Sequence, residues 1–317
     1  MGKEMQTGEI WRKAIPKARD RMQSQLLVGI VGALLVWVTA WTLQRYYLLF
    51  SVWYQASSAI KIAPLIGTIA ISAAFAALVL ILRAATVAGA GFGGMICLVL
   101  MSGTETWGHS IVRSGLTPLA ALFVLTFLAT RAGKRRKESA GLGEPRKGRT
   151  VAQVIANLSV AALSVSILGL FVVLGSFGPF SAPSLAVPLN VMCLAALVEA
   201  AADTVSSELG QAFGGRPLLL FSMRTVEPGT DGAVTLFGSL AGIVAGTIVT
   251  AAGIWSLRLR IEDAAIALGA GIAGLFFDSV LGATVERRGW LGNDLVNFSS
   301  TLFAACVARI IYHWKIY

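Results

Sequence analysis

Val234-Thr-Leu-Phe-Gly-Ser-Leu-Ala-Gly-Ile-Val-Ala-Gly-Thr-Ile-Val-Thr-Ala-Ala-Gly-Ile-Trp255 runs for 22 residues without one charged side chain. A span needs roughly 20 mostly apolar residues to cross the hydrocarbon core of a bilayer, so this stretch reads as a transmembrane helix. Comparable apolar blocks lie on either side of it: Leu26–Leu43, Ala59–Leu82, Val87–Gly103, Leu116–Ala129, Val151–Gly175, Ser184–Ala202, Ala264–Ala283 and Phe298–Trp314. The third and fourth blocks are short and would also suit a re-entrant pair. The expected fold is all-α, a polytopic transmembrane helix bundle of about nine spans, with seven to nine compatible with the pattern. Composition agrees: the 317 residues are 56% hydrophobic and 13% charged, with a mean hydropathy of +0.75. Soluble domains carry about 25% charged residues, and so few charges would not cover a water-soluble particle of this size.

The net charge of +10 concentrates at Met1–Gln25 and Arg131–Thr150, both flanking apolar blocks. Basic loops of that kind mark the cytoplasmic side, which excludes nucleic acid as the natural partner of this charge. Arg131–Thr150 carries Arg131, Lys134, Arg135, Arg136, Lys137, Arg146, Lys147 and Arg149 against Glu138 and Glu144. Counting spans from that loop puts the N-terminus, Asp203–Ala233 and Thr284–Asn297 on the same side, while Arg258, Arg260 and Lys315 fall opposite. The N-terminal segment holds Glu4, Glu9 and Asp20 before a long apolar block, and is read as leading into a retained first helix. Trp41, Tyr46, Tyr47, Trp53 and Tyr54 suit a membrane–water belt, with Gln44–Ser58 lying on the surface. Cys97, Cys193 and Cys306 lack metal-ligand spacing and read as buried small hydrophobes. Two histidines, His109 and His313, are too few for a histidine metal site.

Many of the glycines fall inside spans. Gly238–Gly246 and Leu268–Gly274 read as helix-packing faces, because small residues let membrane helices approach closely. Gly89-Ala-Gly-Phe-Gly-Gly94 matches a dinucleotide fingerprint, but that motif must join a strand to a helix, and here it sits within an apolar block.

The chemistry concentrates between Gly148 and Asn297. Ionisable residues at membrane depth are costly and usually functional. Glu199, Asp203 and Glu208 crowd the end of the sixth span, with Glu199, Asp203 and Ser207 at four-residue spacing on one helix face. Asp278 and Ser279 lie near the end of the eighth span. Two acidic helix ends are suited to one divalent cation, since Mg²⁺ takes one or two protein carboxylates plus substrate phosphates. The expected metal ligands are Asp203, Asp278 and Glu199, with Mg²⁺ as cofactor. The loop before the seventh span contains Arg216, Arg224 and Gly229-Thr-Asp-Gly232. Glycine and threonine ahead of a helix suit a phosphate cradle built from Gly229, Thr230, Asp231 and Gly232, because backbone N–H groups there attract anions; an ordinary turn with an N-cap is the plainer alternative. Asn157, inside an apolar segment, either bridges helices or orients a phosphate.

Four blocks then carry a resemblance: Gly148-Arg-Thr-Val-Ala-Gln-Val-Ile-Ala-Asn157, Ala202-Asp-Thr-Val-Ser-Ser-Glu-Leu-Gly210, Gly229-Thr-Asp-Gly-Ala-Val-Thr-Leu-Phe-Gly238 and Asp278-Ser-Val-Leu-Gly-Ala283. Their order resembles that of the membrane-protein family that includes the plant phytyl-phosphate kinase and transmembrane protein nineteen. More distantly, the acidic and glycine-rich blocks resemble those of CTP-dependent polyprenol and phytol kinases. The likeness covers roughly Ala59 to the C-terminus, so the chain divides into residues 1–58, a basic segment with an extra first span, and 59–317, the family domain. Arg224 stands where the resemblance leads one to expect lysine, and arginine changes the geometry of a phosphate contact. The basic insert Arg131–Arg146 is not part of the pattern.

The resemblance implies a membrane kinase that passes a phosphoryl group from a nucleoside triphosphate, CTP or ATP, to an isoprenyl monophosphate. Such transfer needs positioning and charge neutralisation, and the acceptor, already an anion, needs no strong base. Asp203, Asp278 and Glu208 are the expected catalytic residues. Arg149, Asn157, Ser207, Arg216, Arg224, Gly229, Thr230, Asp231, Gly232 and Ser279 are the expected substrate and nucleotide contacts. Expected partners are the isoprenyl monophosphate, the nucleoside triphosphate and membrane lipid, with a homo-oligomer left open. A transporter or flippase of a phosphorylated lipid is the alternative, using the same anion-binding groups without transfer.

Overall fold

The computed structural model describes residues 15–54, 63–104, 111–139, 141–142, 148–169, 171, 182–220 and 222–316. The chain is a helix bundle: α1 (Lys17–Tyr54), α2 (Ala63–Ile81), α3 (Val87–Thr104), α4 (Leu116–Arg131), α5 (Lys134–Ser139), α6 (Val151–Ser164), α7 (Ala182–Phe213), α8 (Leu236–Leu257), α9 (Ile261–Leu281) and α10 (Asn293–Ile316). Among the described residues, six helices are long and apolar enough to cross a membrane, and three apolar ones (Leu65–Ile81, Leu116–Arg131, Val151–Ser164) are shorter. The one named sheet there pairs β1 (Leu218–Leu219) antiparallel with β2 (Ala233–Val234).

Helix α7 is the axis of the bundle and packs against α4, α6, α8, α9 and α10. From Cys193 to Ala202 no residue is more than 2% exposed. A helix apolar all round can be satisfied only by neighbours on every side. The glycines make those neighbours fit. A Cβ at Gly238 or Gly242 would run into the backbone carbonyl of Ser206 or Ala202 on α7, and one at Gly246 would press on Val198. Gly271 and Gly274 likewise let α9 sit against Val198, Glu199 and the Ser300 backbone of α10. Both glycine blocks therefore serve packing. So does the false fingerprint in α3: Gly94 meets the Ser72 carbonyl of α2, and Gly89 the Arg149 carbonyl.

Four boundaries differ from the sequence-based reading. The sixth span does not stop at Ala202; α7, 32 residues long, runs on to Phe213, so Glu199, Asp203 and Glu208 lie within one unbroken helix. The eighth span does not stop at Ala283, because a π-helical turn, Gly282–Glu286, extends it. The fifth span was expected to reach Gly175, but α6 ends at Ser164 and residues 170 and 172–181 lie outside the described set. The first span was expected to break near Leu43; instead α1 runs unbroken to Tyr54, and residues 55–58 of the expected surface stretch lie outside the described set. Cys97 and Cys193 are buried as expected, whereas Cys306 is exposed on α10.

The bundle has two chemically distinct ends. At one, α1 is tied to the α9–α10 connection: Arg19 Nη1 donates to the Gly289 carbonyl (3.0 Å), Gln23 Nε2 to the Trp290 carbonyl (2.7 Å), and Ser24 Oγ to Asp294 Oδ2 (2.6 Å). The basic insert reaches the same end, where Lys137 pairs with Glu208 of α7. The segments assigned to one side of the membrane by charge thus meet one another. At the other end, buried Asp263 accepts from Arg260 Nε (3.1 Å) and Lys315 Nζ (2.7 Å). Two of the three basic residues that fell on that side, Arg260 and Lys315, are thus paired locally with Asp263.

Candidate functional site

At the basic end a cavity of about 340 Å³ opens among α6, α7, α9, α10 and the loop ahead of α8. Its walls follow from local structure. Arg149 is placed by a short parallel bridge: its N–H donates to the Ala84 carbonyl (2.9 Å), and its carbonyl accepts from Thr86 N–H (3.0 Å). Gly148, at φ +72°, lies so close to the backbone of residues 83–85 that a Cβ would meet it at 2.8 Å. This glycine is required by a left-handed backbone and by close approach together. Thr150 then caps α6 through a reciprocal pair with Gln153, a capping box that starts the helix at the cavity edge. Two turns in, Asn157 lines the cavity and donates Nδ2 to the Gln153 carbonyl (2.8 Å).

Eleven of the fourteen expected site residues line this one cavity: Arg149, Asn157, Asp203, Ser207, Glu208, Gly229, Thr230, Asp231, Gly232, Asp278 and Ser279. Three do not. Glu199 is 1% exposed and lies behind the wall, near Asp203, Asp278 and Ser300. Arg216 and Arg224 are exposed and do not line the cavity, whereas Arg149 does, its Nη2 reaching Thr204 Oγ1 at 3.4 Å.

Two expected residues also make contacts within the fold. Glu208, expected to be catalytic, accepts an ion pair from Lys137 Nζ, which also donates to the Thr130 carbonyl (2.9 Å). Its charge is already balanced, and it joins the insert to the cavity wall. Gly232 was expected to leave room for a phosphate. At φ +71°, a Cβ there would instead collide with Ala283 N and the Ser279 carbonyl, so the close approach is between the loop and the π-helical turn. Valine at this position would displace the loop, whatever it binds.

The cavity also holds residues that sequence reading missed: Thr204, Gln211, Glu286, Asn293 and Asn297. Glu286 is not among the expected site residues. It stands eight residues after Asp278, about 80° away around a regular helix, and was hidden only by ending the span at Ala283. Asn293 and Asn297 are four apart at the start of α10, a spacing that was available as a signal.

The electrostatics are divided. Three helix N-termini, those of α6, α8 and α10, reach the cavity with Gln153, Thr235 and Asn293 on its wall. Such ends carry a partial positive charge and free donors for anions. Facing them, α7 and α9 bring Asp203 and Asp278, close enough for their charges to interact. Asp278 Oδ1 and Glu199 Oε1 are buried without a hydrogen-bond partner among the described residues. A buried carboxylate oxygen left unpaired is costly unless a ligand or proton completes it. No group of three His, Cys, Asp or Glu side chains among the described residues is poised to hold a metal alone. The trio Asp203, Asp278 and Glu199 is therefore not preformed, and a cation here would use one or two carboxylates with other oxygens. In the loop, burial pushes the Asp231 carboxyl up to about 6, against the opposing pull of Arg287.

Comparison with known proteins bears on these groups. Protein VTE6, chloroplastic, of Arabidopsis thaliana is 28% identical over 219 residues, 68% of this chain and 63% of that protein. The chain thus spans a little under two thirds of that relative's length. An uncharacterized membrane protein of Methanocaldococcus jannaschii is 32% identical over 61% of this chain and 74% of its own length. One of Synechocystis is 30% identical over 65% and 76%. No solved structure matches the chain. The family profile described as Integral membrane protein DUF92 matches residues 70–305, which takes in every cavity-lining residue. The chain is a multi-pass membrane protein and belongs to the DUF92 family of integral membrane proteins.

Proposed function

We propose that the cavity transfers a phosphoryl group from a nucleoside triphosphate, CTP or ATP, to an isoprenyl-type lipid monophosphate, giving the diphosphate. The observation that carries this reading is the meeting of three helix N-termini with two carboxylate-bearing helices around one cavity. Anionic phosphates belong at the first, and a cation between phosphates and carboxylates belongs at the second. Similarity to VTE6, a plant member of the family that the sequence blocks resemble, supports a lipid phosphate as acceptor.

Asp203 and Asp278 fit Mg²⁺, because both line the cavity and Asp278 retains an unpartnered buried oxygen. Bound there with phosphate oxygens, Mg²⁺ would supply charge neutralisation for the transfer. The rest is positioning by the chain. Arg149 and the α8 and α10 N-termini hold phosphates, Asn157 and Asn297 orient the acceptor head group, and the apolar bundle admits a lipid tail from the bilayer. No general base is needed, since the acceptor oxygen is already ionised. The charge of the basic insert and N-terminal segment supports a cavity on the cytoplasmic side, where nucleotide is available.

The test is direct. The purified protein in nanodiscs is incubated with phytyl, geranylgeranyl or shorter isoprenyl monophosphates, γ-labelled CTP or ATP, and Mg²⁺. Labelled diphosphate is expected. Its absence across the panel, with specific efflux of lipid phosphate in proteoliposomes, would replace the kinase by a transporter.

A further inference from the structure

The cavity wall is mostly polar, with a few apolar members that include Val234 of β2 and Leu275 of α9. Leu142 of the insert and Pro217 and Pro228 of the segment between α7 and α8 supply an apolar shelf to this wall. Gly229, next to Pro228, is packed against the Leu142 side chain, so that a Cβ would collide with Leu142 Cδ2. The Pro217 carbonyl accepts from Val226 N–H at 2.9 Å, which folds the loop after α7 back on itself. Gln211, in the last turn of α7, lines the same cavity and offers both a donor and an acceptor.

Leu142 belongs to the basic insert, which sequence comparison left without a role. It is firmly placed. Its N–H donates to the Lys137 carbonyl at 2.8 Å, and the Lys137 side chain is buried against Glu208 and the Thr130 carbonyl. Lys134, Arg135 and Arg136 of the insert are exposed. The shelf therefore lies on the aqueous, basic side of the cavity, away from the apolar flanks of the bundle. A lipid tail has no reason to enter there. A flat ring with polar edges does, because it loses apolar area to the shelf and keeps its edge hydrogen bonds.

We infer that Leu142, Pro217 and Pro228 form the nucleobase subsite of the donor, with Gln211 reading the base edge and the Lys137–Glu208 pair positioning the insert. This rests on the kinase reading and extends it: the insert contributes to nucleotide choice, while the polar interior handles phosphates that every nucleotide shares. Glu208 acts through Lys137 and Leu142 and does not touch the reacting atoms.

The experiment separates base from phosphate. Equilibrium binding of CTP, ATP and inorganic tripolyphosphate, each with Mg²⁺, is measured on the full chain in nanodiscs for the wild type, Leu142→Ser and Leu142→Met. The expected result is that Leu142→Ser weakens the preferred nucleotide by about tenfold, the effect of one lost apolar contact of ordinary strength. Tripolyphosphate affinity stays unchanged, and Leu142→Met, which keeps an apolar face, restores the nucleotide. The subsite is overturned if wild-type protein holds tripolyphosphate as tightly as either nucleotide, or if Leu142→Ser weakens all three alike or none. It is also overturned if that variant weakens isoprenyl monophosphate instead. Failure of the wild type to bind any of the three would refute the kinase reading itself, and the subsite with it.

Discussion

Replacing Lys137 by methionine removes a charge from a place where its partner cannot be rehydrated. Lys137 is 4% exposed and Glu208 7%. Breaking a buried pair by deleting one member costs about 3–5 kcal/mol, because the surviving charge stays buried without compensation. That is a large share of a typical folding stability of about 5–15 kcal/mol. The loss of the Lys137 bond to the Thr130 carbonyl adds to it. Lys137→Met combined with Glu208→Gln should regain at least half of the loss, since no charge is then stranded, giving a coupling of about 2–3 kcal/mol. Reversible unfolding by SDS in mixed micelles, run as a double-mutant cycle, reads this coupling. Losses that simply add would refute the buried-pair reasoning. The same double variant tests the role of Glu208. As an anchor it can be neutralised with Mg²⁺-dependent turnover retained within about tenfold; turnover lost a hundredfold or more despite recovered stability would return Glu208 to the chemistry.

Asp203→Asn and Asp278→Asn should each lower lipid-phosphate kinase turnover by about a hundredfold or more while thermal stability holds or rises, because each removes a buried charge; near-normal turnover in both would end the metal-dependent mechanism. Glu286→Gln should lower turnover, whereas Glu262→Gln, at the far end beside Lys315 and Arg260, should leave it unchanged, and kinetics on the pair reads the difference. Asp231 gives a pH signature. Its carboxyl is raised from 3.8 to about 6, so between about pH 4 and 6 the folded state binds more protons than the unfolded one. Its contribution is fully present below about 4 and is lost as pH rises through 6, an effect of up to about 3 kcal/mol. Unfolding midpoints at pH 5 and 7 should differ less in Asp231→Asn than in the wild type; an unchanged difference would show that Asp231 does not titrate there.

Much was legible in order along the chain. Uncharged runs long enough for a bilayer place the spans, because hydrocarbon tolerates no unpaired backbone polarity and leaves helix as the outcome. Charge asymmetry groups the connecting segments correctly, as the contacts of Arg19, Gln23 and Lys137 at one end show. Acidic residues at membrane depth announce a site by their cost alone, and Asp203 and Asp278 do meet at one cavity.

What the sequence by itself determined, then, is the kind of molecule, its helices, its family and most residues of the cavity, because hydropathy and the expense of buried charge are local properties. Only the tertiary structure decided their roles. Glu208 is balanced by Lys137 across 71 positions of chain, a pairing that no spacing rule contains. Gly232 makes close contact with the π-helical turn, and Glu286 enters the cavity wall because that turn prolongs α9. Arg216 and Arg224, attractive beside a glycine-rich turn, are exposed away from the cavity. The reason is common to all four. A residue type states what a side chain could bind, but which partner lies within bonding distance depends on how the helices cross, and the crossings are set by small residues and backbone contacts far apart in sequence.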